Sequence, residues 1–164
     1  MKAKTLAEAI WAKFLLDAYQ LELYERLGSS ADARLAEIAA KAVKETRYHL
    51  RFSAGWLVRL GDGTAESHAR TQASLDRLWP YTCELFDADE LDRAIATAAI
   101  GPDLADLHAA WSARVAEVLR QATLRRPADA PYHWYGKQGR HSEHLGYILT
   151  ELQYLQRTHP GASW

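Results

Sequence analysis

The stretch VKETRYHLRFSAGW, residues 43–56, decides how this chain is read. It holds no proline, its apolar positions recur three and four apart, and it lies inside a periodic segment running from Asp32 to Leu60. The spacing predicts one long helix with Leu35, Ile38, Ala42, His49, Ser53, Trp56 and Leu60 as its seam, closed by the turn GDGT at 61–64. Taking about 100° per residue, His49 lies about 20° from the middle of that seam at Ala42, and Thr46 and Glu45 lie about 40° and 60° from it on opposite sides. An inward imidazole with a carboxylate four residues before it outlines half of a metal site.

Upstream, Ile10, Phe14, Asp17, Leu21 and Tyr24 form a second helical stripe, opened by a capping box at Thr5 and Glu8 and ended by Gly28. The connection to the long helix is short, so the two run antiparallel as a helical hairpin over residues 5–60. Further helices are predicted over 64–86, with Pro80 kinking or breaking it near Trp79, and over 87–100, opened by a capping box of Asp87 with Glu90. Another covers 103–122, with Leu104, Leu107, Trp111, Val115 and Val118 on one face. The segment 125–140 has two prolines, two glycines and no period, and reads as a loop. The last helix, 142–158, presents Leu145, Ile148, Leu149, Leu152 and Leu155 as its core face. No strand signal or internal repeat appears, so the fold class is an all-α helical bundle forming one domain over 1–164.

The totals fit an ordinary globular chain, with 48% hydrophobic and 25% charged residues. Twenty basic residues against twenty-one acidic ones leave a net charge of -1, which gives no electrostatic reason to expect nucleic acid or an anionic membrane as partner. Cys83, the single cysteine, excludes an internal disulfide and fits a reducing compartment, and no apolar run reaches the length of a membrane span. The chain is read as cytoplasmic. Six tryptophans supply either an aromatic core or an interface.

A di-iron carboxylate bundle needs about four carboxylates and two histidines, including Glu-x-x-His pairs projecting inward. Here Asp17 and His49 are the inward candidates, the residue three before His49 is Thr46, and no second Glu-x-x-His follows. The alternative reading is a hydrogen-bonded core pair of Asp17 with His49. HSEH at 141–144 reads as a cap or interface feature. Arg125, Arg126, Lys137 and Arg140 form a solvated charged loop or a grip for coenzyme A phosphates, the latter resting on Lys137 and Arg140. No phosphate loop, nucleophile elbow or catalytic triad is present, so no catalytic residue is assigned.

KAVKETRYHLRFSAGWLVRLGDGT (41–64), LWPYTCELFDADELD (78–92) and GRHSEHLGYILTELQYLQRTHPGASW (139–164) together resemble the PaaC-like family, the non-catalytic, ferritin-like subunits of ring-1,2-phenylacetyl-CoA epoxidases. The resemblance covers essentially the whole chain. It implies a ferritin-like bundle acting as structural companion to a related catalytic subunit that holds a di-iron centre, with no cofactor in this chain. It also places Asp17, Thr46 and His49 on three of the catalytic relative's ligand positions, with Glu45 adjacent, as the remnant of a metal site. Known members begin with further N-terminal helices, so part of a four-helix core is expected to be missing or supplied by another chain, and a homo- or hetero-oligomer follows. Aromatic residues Tyr147, Tyr154 and Trp164 are the candidate partner surface. The competing reading is a homodimeric metal-dependent oxidase using its own Asp17, Glu45 and His49.

Overall fold

In a computed structural model, residues 5–129, 132–133 and 135–163 are described, and all regular structure among them is helical. They fall into two compact units, within Ala3–Tyr132 and within His133–Trp164. The first contains α1 (Leu6–Leu27), α2 (Ala33–Gly61), α3 (Ala65–Leu78), a 3-10 helix (Trp79–Leu85), α4 (Glu90–Thr97) and α5 (Leu104–Gln121). The second contains a 3-10 turn (Gly136–Gln138), α6 (His144–Leu152) and α7 (Tyr154–Thr158).

Local chemistry sets the helix ends. Thr5 caps α1 by accepting the Glu8 amide at 3.2 Å, Asp32 caps α2, and Thr64 caps α3. Pro80, unable to donate a backbone hydrogen bond, marks the change from α3 to the 3-10 helix. The box that opens α4 is Asp89 with Asp92, two residues later than the predicted Asp87 and Glu90. The predicted helix over 142–158 is divided at Gln153 into α6 and α7.

In the first unit α1 is the central helix, packed against α2, α3 and α5. Trp11, Phe14, Leu57, Leu75, Leu107 and Val115 are fully buried. Two tryptophans also tie neighbours by hydrogen bonds: Trp11 Nε1 donates to the Thr71 carbonyl and Trp111 Nε1 to the Leu15 carbonyl, both at 3.0 Å. The predicted face of α5 is buried throughout, from Leu104 to Val118.

The seam of α2 departs from the prediction. Its buried residues are Ala39, Thr46, Leu50, Ser53, Leu57 and Gly61, while Ile38 and Trp56 are exposed and His49 sits at the flank. The exposed Ile38 and Trp56 misplaced the stripe, because the buried face combines Leu50 and Leu57 with the small or hydroxylated Ala39, Thr46, Ser53 and Gly61. At Gly61 an added Cβ would collide with the Ala122 carbonyl oxygen and lie 2.8 Å from the Ala122 Cβ. The predicted core face of α6 and α7 is likewise corrected: neither helix has a buried residue, and Ile148, Leu149, Leu152 and Leu155 are exposed.

Candidate functional site

Asp17 lies at the middle of α1 with only 4% of its surface exposed. Its two oxygens are both engaged: Lys13 Nζ donates to Oδ1 at 3.0 Å and Ser53 Oγ donates to Oδ2 at 2.8 Å. The core pair expected between Asp17 and His49 is therefore replaced by Asp17 with Ser53, one turn farther along α2. His49 turns instead to its own helix, with Nε2 3.8 Å from Glu45 Oε1, and the Glu45 side chain is 76% exposed. Thr46 is buried, and its hydroxyl donates to the Ala42 carbonyl at 2.9 Å, satisfying itself on the preceding turn.

The four residues of the expected remnant thus divide. Asp17 and Thr46 are interior, whereas Glu45 and His49 face outward as a loose pair. Among the described residues no three carboxylate, imidazole or thiol groups converge as a metal set. This arrangement does not fit a di-iron centre built from these positions, since hard oxygen ligands must meet the imidazole at one point.

Two further carboxylates on α1 are buried: Glu8, read from the sequence only as part of a capping box, and Glu22, which escaped that reading. Glu8 is 2.7 Å from Arg77 Nε of α3. Glu22 receives Arg114 of α5 through Nη2 at 2.6 Å and Nε at 3.1 Å, and Arg26 through Nη1 at 2.8 Å. Burial raises the Glu22 carboxyl, but hydrogen bonds and charge from Arg114 and Arg26 outweigh it and hold the group below its ordinary value. Arg26 stands four residues after Glu22 and was a legible signal; Arg77 and Arg114 are distant in sequence, and nothing local points to them.

Beside Glu22 runs a groove of about 660 Å³ between α1, α2 and α5, with Phe14, Leu21, Leu50 and Val118 in its lining and Arg47, Arg51 and Glu117 among its charged residues. A smaller pocket of about 260 Å³ is lined by Trp79, Phe86, His108 and Trp111, with Arg126 5.1 Å over the Trp79 ring. Cys83 lines it too, its thiol pushed up by burial and by the charges of Asp87 and Glu84. Arg126 also binds Asp129 at 2.8 Å, so it is held within the first unit.

The remaining predicted residues lie in the second unit. Lys137 is in the 3-10 turn, and Arg140 stacks 5.5 Å over the Tyr135 ring. Tyr147 on α6 and Tyr154 on α7 are exposed, while Trp164 lies outside the described residues.

Compared with known families, residues 1–164 of the chain match the model of the phenylacetic acid catabolic protein family. The chain belongs to this family. Among the curated proteins similar to the chain is the C-subunit of the 1,2-phenylacetyl-CoA epoxidase of Escherichia coli (strain K12), 49% identical over 158 residues. That alignment takes in 96% of this chain and 64% of the relative, so the chain spans just under two thirds of the length of the curated protein it matches. No helix among the described residues is long and apolar enough to cross a membrane.

Proposed function

We propose that this chain is a structural, non-catalytic subunit of a multicomponent phenylacetyl-CoA epoxidase, folded as part of a ferritin-like bundle and acting in aerobic phenylacetate catabolism. Its partner on this reading is the di-iron catalytic subunit, which supplies the oxygen chemistry, while this chain packs against it and holds it in shape. The similarity to a known epoxidase component supports the complex. The observation that carries the non-catalytic role is the engagement of Asp17 by Ser53 and Lys13, with Thr46 turned to its own helix and Glu45 in solvent. The same observation favours this reading over a homodimeric oxidase using Asp17, Glu45 and His49.

The test is co-expression with a catalytic epoxidase subunit, followed by copurification, iron analysis and turnover of phenylacetyl-CoA with a reductase. A stable complex whose iron follows the catalytic subunit, with well under one iron per chain here alone, is the expected result. A chain that stays apart from the catalytic subunit at micromolar concentration, or that holds iron stoichiometrically by itself, refutes the proposal.

A further inference from the structure

We draw no further inference here: the strongest candidate, the groove of about 660 Å³ between α1, α2 and α5 with Phe14, Leu21, Leu50 and Val118 in its lining, is an open apolar face, and nothing in the structure shows what covers it.

Discussion

Replacing Ser53 by Ala removes one hydroxyl from the fully buried seam between α1 and α2, and the structure fixes how large the effect should be. The Ser53 oxygen is within 3.0 Å of the His49 carbonyl and 3.3 Å of the Leu50 carbonyl as well as 2.8 Å from Asp17 Oδ2. A hydroxyl has one proton, and the charged, nearest acceptor takes it. Losing a hydrogen bond to a charged group costs about 1.5–3 kcal/mol. Asp17 keeps Lys13 on its other oxygen, which places the loss toward the lower end, and the better helix propensity of Ala returns about 0.5 kcal/mol. The net is about 1–2 kcal/mol, and with a urea m-value of about 2 kcal/mol/M the midpoint should fall by roughly 0.5–1 M.

The reverse substitution should behave differently. In Asp17→Leu, the Ser53 hydroxyl can turn to the His49 carbonyl, Lys13 can swing into solvent, and an apolar side chain fills the volume, so the cost should be smaller than for Ser53→Ala. The double variant should sit close to Asp17→Leu, giving a coupling of about 1 kcal/mol in the cycle. Ferrous iron added to the wild type should leave the midpoint in place, whereas a metal held by Asp17 at a hundred times its dissociation constant would add about 2.7 kcal/mol. A Ser53→Ala midpoint within about 0.2 M of wild type, on the order of experimental error, would refute the reasoning, as would a large iron-dependent rise.

Three other outcomes follow from the packing. Gly61→Ala drives a methyl into the Ala122 backbone, which cannot rotate away; overpacking of about 1–3 kcal/mol exceeds the propensity gain of about 1 kcal/mol, and calorimetry should show a Tm several degrees lower. Thr123 is exposed with φ 56, a left-handed conformation that a β-branched residue adopts at a cost, so Thr123→Gly should raise stability by about 1 kcal/mol in urea melts. Glu22 has a lowered folded pKa, so its stabilisation is fully present above the unfolded value near about 4.3 and is lost as pH falls through the lower folded value. The stability gap between wild type and Glu22→Gln should therefore be constant near neutrality and narrow below about pH 4, and a gap that widens in acid would contradict the arginine clasp.

The helical hairpin was legible because helix periodicity and caps are local: Thr5, Asp32 and Thr64 each satisfy amides two or three residues away. The rotation of the α2 seam was not, since α2 carries two apolar stripes and only the neighbouring helices decide which is covered. Ile38 and Trp56 attracted the reading by size, while the interior took Thr46 and Gly61 beside the expected Ser53. For the same reason Asp17 and Thr46 lie in the interior as read, whereas His49 lies at the flank. The partners of the buried carboxylates come from α2, α3 and α5, at separations that no pattern within one helix encodes.

Those partners give a reason for three buried acids on one helix. Glu8 reaches α3 through Arg77, Asp17 reaches α2 through Ser53, and Glu22 reaches α5 through Arg114, so each of the three buried carboxylates is committed to a different neighbour. Burying a charge is costly, and apolar side chains of similar volume often serve stability equally well. What an apolar contact lacks is direction: a carboxylate accepts only from a donor at the right height and angle, and so sets the register of the helix that carries the donor. Asp17 and Glu22 each have both oxygens engaged by protein donors, a structural use of the carboxylate. The polar interior of α1 fixes the register of three neighbouring helices, and that supports the structural role proposed above.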